Sequence, residues 1–201
     1  MKFLLGKKEG MTSVIEENGV VVPVTVISAG PCFVTQVKNS EKDGYDAVQI
    51  GFSETKKMNK PKSGHLKSSG KSLRYLKEYR TKEGENLKIG DTMDVSIFEK
   101  GEKVKISGTI KGHGFTGPVR RYGFRGHPAS HGHPQQRKVG SIGGRFPQRV
   151  IKGLRMAGHY GNTRKTISNL QVVGVDTKNN FLLVKGSLPG TRGSLVEIRG
   201  M

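Results

Sequence analysis

The chain has 201 residues, enough for one domain or for one domain with a large insertion. Its 35 Lys and Arg outnumber its 16 Asp and Glu, and the formal net charge of +19 favours a polyanionic partner. The single cysteine, Cys32, excludes an internal disulfide and any zinc site built from several cysteines. No apolar run reaches the length of a signal-peptide core or a membrane span, so we expect a cytoplasmic protein without a membrane partner.

Short β-branched runs separated by turn residues predict strands in the first half of the chain, at 20–27, 32–37, 47–52, 93–98 and 104–110. Pro23 lies inside the first run and predicts an edge or a bulge there, because proline cannot donate a ladder hydrogen bond. A Lys-rich insertion at 54–85 ends in residues 72–80, whose spacing predicts one short helix. We interpret this insertion as a second contact with RNA or as a solvated Lys-rich face.

The interval between Glu102 and Asp176 contains no acidic residue, yet it carries 14 Lys and Arg and five of the six His. Within it, residues 111–165 hold 12 Gly and four Pro and show neither helical nor strand periodicity. Such a segment cannot build a core, and internal loops of this length are usually functional or disordered. We therefore expect a long extension that becomes ordered on a partner.

Three more strand-like runs follow the extension, at 170–175, 181–184 and 195–198. About eight short strands at close spacing predict a closed or nearly closed antiparallel barrel. The expected organisation is a mainly β body formed by residues 1–110 and 166–201, interrupted by the extension at 111–165.

Two glycine-rich patterns raise the question of nucleotide binding. Gly112–Gly117 matches G-x-G-x-x-G, but poor helix formers follow it, and no Asp or Glu lies where one would hold a ribose. Residues 69–72 resemble the end of a phosphate-binding P-loop, but Gly64 lies one position too far from Gly70 for that motif. The extension also lacks any carboxylate for general acid-base catalysis. We therefore expect no cofactor, no small-molecule substrate and no enzyme activity.

His127, His131 and His133 form an H-x3-H-x-H pattern, which is a conceivable metal site. Basic neighbours and the lack of a completing carboxylate disfavour a metal, and we expect none. Hydrogen bonds from these imidazoles to phosphate or 2′-hydroxyl groups of RNA fit the surroundings better.

Arg and Lys alternate with Gly and with occasional aromatic residues along the extension. This pattern is typical of RNA binding, because guanidinium groups bond phosphate and stack on bases, and aromatic rings pack on unstacked bases. The residues predicted to bind RNA are Lys111, His113, Arg120, Arg121, Arg125, His127, His131, Arg137, Lys138, Arg145, Arg149, Lys152, Arg155, His159 and Arg164.

Many stretches of the chain resemble the bacterial large-subunit ribosomal protein L-three family. In the extension they are 112–117 (GHGFTG), 121–124 (RYGF), 130–132 (SHG), 140–143 (GSIG) and 150–158 (VIKGLRMAG). Further matches lie at 6–12, 23–26, 30–32, 43–45, 48–51, 183–186 and 189–190. The resemblance implies a split β-barrel of the translation-protein type, whose extension threads through large-subunit rRNA toward the peptidyl transferase centre.

The same resemblance implies a structural constituent of the large subunit, an early role in subunit assembly, and neighbouring large-subunit ribosomal proteins as partners. The tip of the extension nearest the peptidyl transferase centre would be formed by Ile142, Gly143, Gly144, Arg145, Phe146 and Pro147. This tip is one residue shorter than in many relatives. Two alternatives stay open: a nucleotide-dependent enzyme using residues 112–117, and a non-ribosomal polyanion binder such as a DNA-compacting or membrane-surface protein.

Overall fold

The computed structural model describes residues 2–81 and 87–201. In these residues the strands are β1 Phe3–Ile15, β2 Val21–Ala29, β3 Cys32–Lys38, β4 Ala47–Glu54, β5 Leu73–Arg80, β6 Thr92–Met93, β7 Lys103–Thr109, β8 Phe115–Thr116, β9 Gly158–His159, β10 Arg164–Asp176, β11 Phe181–Lys185 and β12 Leu195–Gly200. Short helices are α1 Ser40–Asp43, α2 Lys60–His65 and α3 Pro118–Tyr122, with 3-10 turns at Lys67–Ser69 and Val95–Ile97. The expected mainly β fold is confirmed.

Six strands form a closed antiparallel barrel in the order β1-β12-β7-β10-β11-β2, and β2 pairs back with β1. Ile106 of β7 pairs with Ile198 on one side and with Ile167 on the other. Ile106 and Ile198 are fully buried, as are apolar side chains on the other barrel strands. Closure leaves these strands without an open edge along their paired lengths, and it encloses a hydrophobic interior.

A second antiparallel sheet has the order β5-β4-β3-β6 and shares the core of the barrel. The Leu5 backbone N–H donates to Cys32 Sγ at 3.3 Å, and the rings of Phe3 and Tyr79 stack with their centroids 4.1 Å apart. Burial raises the pKa of the Cys32 thiol to about 12, so this thiol stays protonated and acts as core packing.

The chain divides into two compact units. The first contains the described residues up to Thr109 together with Arg164–Met201, and the second is Ile110–Thr163. Thr109 and Arg164 pair with each other across β7 and β10, so the chain leaves and re-enters the first unit at adjacent positions. Lys165, which we expected in the extension, also lies in β10 and pairs with Gly108.

The helix predicted at residues 72–80 is wrong. These residues form β5, which pairs with β4 from Ala47↔Arg80 to Glu54↔Leu73. Leu73, Leu76 and Tyr79 recur every third residue and so imitate a helical face, but short apolar runs do not separate helix from strand. Pairing with β4 stabilises the extended conformation of these residues over a helix. The insertion keeps one helical piece, α2, and its last residues, 82–85, lie outside the described part of the chain.

The strand predicted at residues 93–98 is correct only at its start. Thr92–Met93 pairs with β3, and Val95–Ile97 forms a 3-10 turn. Val95 and Phe98 are both buried, and residues three apart lie on one side of such a turn. The apolar residues that suggested a strand therefore form a tight turn whose buried side chains pack at the edge of the sheet.

Pro23 lies at a local edge, as its position in the first run indicated. The pairing of β2 with β11 ends at Val24, so the N–H that Pro23 lacks falls beyond this ladder. The Pro23 carbonyl accepts a hydrogen bond from the Gly186 N–H at 2.8 Å. Within the described residues, no helix combines the length and the apolar character that crossing a membrane requires.

One matched pair of substitutions tests where the hydrophobic interior lies. Ile106 is 0% exposed and Ile142 of the second unit is 48% exposed. We expect Ile106→Ala to lower the free energy of unfolding by about 2–5 kcal/mol, because it leaves a cavity in the barrel. We expect Ile142→Ala to change it by less than about 0.5 kcal/mol. Urea unfolding of the purified variants measures both, and similar losses from the two would place an interior in the second unit.

Candidate RNA-binding interface

The second unit has almost no interior. Within Ile110–Thr163 only Thr116 and Pro118 are buried, and every other residue is half-buried or exposed. Phe115 and Phe146 leave 73% and 75% of their surface exposed. Exposed aromatic side chains in such numbers are typical of a surface that another molecule covers.

The charge of this unit is of one sign. It contains ten Lys and Arg and no Asp or Glu, so no carboxylate inside the unit can neutralise them. Like charges at this density raise one another's electrostatic energy unless an anion approaches. A polyanion is therefore the partner chemistry that the unit fits.

The base of the unit is a small hairpin. β8 pairs with β9 through Phe115↔His159 and Thr116↔Gly158. The rings of His113 and Tyr160 stack at 5.3 Å, and Arg120 Nη2 lies 3.1 Å from His113 Nδ1. Three predicted site residues, His113, Arg120 and His159, are thus brought to one end of the unit.

Arg121 performs a structural task in addition to carrying charge. Its guanidinium donates to the Met156 carbonyl at 2.8 Å and lies against Gly158, where any Cβ would approach Nη1 to 2.6 Å. Two guanidinium groups lie near the Tyr122 ring, with Arg121 Cζ at 5.0 Å and Arg155 Cζ at 5.9 Å from its centroid. These contacts join α3 to the returning strand and hold two cations over one aromatic ring.

A turn of backbone organises the middle of the unit. The His127 N–H donates to the Gln136 carbonyl at 2.9 Å, and Gln136 Nε2 donates to the Ala129 carbonyl at 2.8 Å. Gly126 has φ of +72°, and a Cβ there would lie 2.8 Å from the Gln136 carbonyl oxygen. Glycine is therefore required where the two chain segments meet.

Two of the three histidines in the predicted cluster, His127 and His133, are in contact. The rings of His127 and His133 stack at 4.0 Å. His131, Arg125, Arg137 and Lys138 are exposed nearby in the chain. No group of three His, Cys, Asp or Glu side chains close enough to hold a metal ion occurs in residues 2–81 and 87–201. The stacked imidazoles present polar edges, and these edges suit hydrogen bonding to RNA.

Residues 142–147, the predicted tip, are all exposed. Arg145 Cζ lies 5.9 Å from the centroid of the Phe146 ring, and the Arg149 N–H donates to the Pro147 carbonyl at 2.7 Å. Lys152 is exposed on the segment that follows. The tip therefore presents cationic and aromatic groups together with little packing of its own.

Two predicted residues stand apart from the others. Arg164 lies in β10 of the first unit and forms an ion pair with Glu197, so part of its charge is already compensated. Lys111 is exposed at the start of the second unit, where its carbonyl oxygen would collide with any Cβ at Gly161. Gly161 has φ of +80°, and it lets the returning chain pass close beside the outgoing one.

The predicted set omitted several aromatic residues of this surface, among them Tyr122 and Tyr160. Each of these two contacts a predicted cation or imidazole directly. The signal was present in the sequence, because both are aromatic residues next to Arg or His inside the acid-free interval. A set of residues chosen mainly for positive charge leaves out the aromatic residues that stack on them.

Comparison with known proteins gives one consistent family. The family model described as Ribosomal protein L3 matches residues 83–179. The chain is 49% identical to the large ribosomal subunit protein uL3 of Thermosipho africanus, across 99% of this chain and 98% of that protein. It is also 49% identical to the uL3 proteins of Herpetosiphon aurantiacus, covering 97% and 94%, and Thermotoga maritima, covering 99% and 97%. The chain therefore belongs to the large-subunit ribosomal protein L3 family.

Proposed function

We propose that this chain is a non-enzymatic structural constituent of the large ribosomal subunit that binds large-subunit rRNA through its second unit. The observation that carries the proposal is the character of Ile110–Thr163, which has ten Lys and Arg, no acid and no hydrophobic core. The names of its relatives place those proteins in the large subunit. A ribosomal location and contacts with other proteins of the subunit follow for this chain.

The chemistry of binding divides between charge and shape. Exposed Arg and Lys side chains neutralise phosphates and release condensed counterions, which supplies affinity. Glycines bring backbone close to the RNA, and Tyr122, Phe115 and Phe146 offer rings for unstacked bases. Since these groups hold no interior of their own, they can follow the contour of one folded RNA.

We propose in addition that the chain acts early in subunit assembly and that residues 142–147 extend toward the peptidyl transferase centre. The exposed tip, with Arg145 beside Phe146, has the composition to enter a crowded RNA environment. The barrel, which closes around its own core, is able to fold before RNA arrives. A prefolded body with an extension that RNA must complete is well suited to an early binder.

The salt dependence of binding tests the electrostatic part. With a transcript of the large-subunit rRNA as probe, we expect the triple variant R145A/R149A/K152A to neutralise fewer phosphates. The slope of log K against log salt concentration should become less steep by about one for each phosphate that the variant no longer neutralises. Filter binding over a series of salt concentrations measures the slope.

The matched control for that variant removes three exposed Lys from the first unit, as K42A/K178A/K185A. The net charge change is the same, so a general effect of charge would lower both slopes equally. The proposal requires a clearly larger effect from the second unit, and equal effects would contradict it.

Hydrogen exchange tests the coupling of order to binding. In the free protein we expect amides of the tip region, residues 138–155, to exchange orders of magnitude faster than those of β1, β7 and β12, because few of them have backbone partners. Addition of the rRNA transcript should slow the tip amides and leave the barrel unchanged. Tip amides already protected without RNA, or unaffected by it, would count against the proposal.

A further inference from the structure

A stretch without any Lys or Arg lies near the start of the chain. From Glu9 through Val37 there is no Lys or Arg, although the whole chain carries 35 of them, and this stretch contains Glu9, Glu16 and Glu17. It includes most of the β1–β2 hairpin. These residues offer a phosphate backbone no cation of their own, so RNA suits this hairpin less well than it suits the second unit.

The hairpin has one covered face and one open face. Val14 pairs with Val22 and Thr12 with Val24 on the first face, where Val22 and Val24 are buried. Ser13 pairs with Pro23 on the other face, whose apolar members are exposed by 54% for Met11, 70% for Ile15 and 59% for Val21. Val20 at the turn is also 53% exposed. This open face is called the hairpin face below.

The outer edge of β1 is unpaired along the same residues. β12 pairs with β1 only from Phe3 to Lys7, and no described strand other than β2 pairs with residues 11–15. The Glu16 N–H donates to the Val20 carbonyl at 3.0 Å. Because hydrogen-bonding direction alternates along an antiparallel strand, the N–H and C=O groups of Met11, Ser13 and Ile15 point away from β2.

Lys100 lines a surface pocket with Val14, Ile15 and Glu16, but no side chain of residues 11–15 themselves protects this edge from another strand. Natural edges are usually blunted by Lys, Pro or inward-pointing charge, but residues 11–15 contain none of these. Extended segments of other chains join such edges by backbone hydrogen bonds, with alternate side chains packing on the apolar face. The two exposed carboxylates at the hairpin turn, Glu16 and Glu17, then favour a partner with Lys or Arg near one end of that segment.

We propose that the hairpin face and the free edge at residues 11–15 form a docking site for an extended segment of a basic protein of the large subunit. The segment adds as a strand beside β1, packs apolar side chains on Met11, Ile15 and Val21, and brings cations to Glu16 and Glu17. This site uses no residue of the second unit. Its occupant rests on the proposed place of the chain in the large subunit, but the site does not depend on how the second unit binds RNA.

Photocrosslinking in assembled large subunits tests the partner class. Ser13, between Met11 and Ile15 on the hairpin face, is replaced by p-benzoylphenylalanine, and Ile151 of the second unit receives the same group as a control. We expect the Ser13 adduct to contain a single protein of the subunit, attached through a segment that carries Lys or Arg. An adduct with RNA, an adduct with a second copy of this chain, or no adduct at Ser13 would overturn the proposal. The Ile151 adduct reports separately on RNA binding by the second unit.

Affinity measurements with the protein captured at Ser13, once purified, test the contacts. Ile15→Asp should weaken binding by at least about tenfold, because it removes apolar burial. The double variant E16K/E17K should weaken it by about tenfold at low salt and less at high salt. The matched control E41K/E54K changes the same charge at exposed positions away from the residues that surround the hairpin turn. Equal losses from both double variants would contradict the site, and unchanged rRNA affinity of all these variants shows that they remain folded.

Discussion

The central constraint on this molecule is a block of positive charge that its own segment cannot neutralise. All 16 acidic residues lie outside residues 103–175. The ion pairs found in the described residues, such as Lys38–Glu78 and Arg164–Glu197, lie in the first unit. The second unit therefore has no compensating charge of its own. Under the proposed function its glycines, exposed aromatic rings and sparse hydrogen bonds all serve contact with a polyanion.

The barrel supplies what the second unit lacks. Its closed ladder and buried core fix Thr109 and Arg164 side by side, so the extension begins and ends at defined points. The molecule also separates its surfaces by charge. The second unit is cationic throughout, whereas the hairpin carries no Lys or Arg from Glu9 onward. Under the two proposals, RNA and a protein segment are therefore assigned to different residues of the chain.

The sequence was informative wherever charge or β-branching dominated. Strands such as β3 and β11 and the acid-free interval were visible as local patterns. Residues 72–80 were not, because pairing with β4 overrides a three-residue spacing. The 13-residue strand β1 was missed because Gly6, Lys7, Lys8, Glu9 and Gly10 interrupt its apolar pattern. In the candidate site, the Lys and Arg residues could be picked out by residue type alone. The hydrogen bond of Arg121 to Met156 and the ion pair of Arg164 with Glu197 could not, because they join residues distant in sequence.

One deletion addresses the central claim directly. Residues 110–163 are replaced by a short Gly-Ser linker between Thr109 and Arg164, which are already paired. If the second unit contributes binding and no interior, the free variant keeps its thermal midpoint within about 4 °C. The same variant fails to co-sediment with the large subunit in high salt. A midpoint lowered by more than about 10 °C, or retention on the subunit equal to that of the intact chain, would contradict this account.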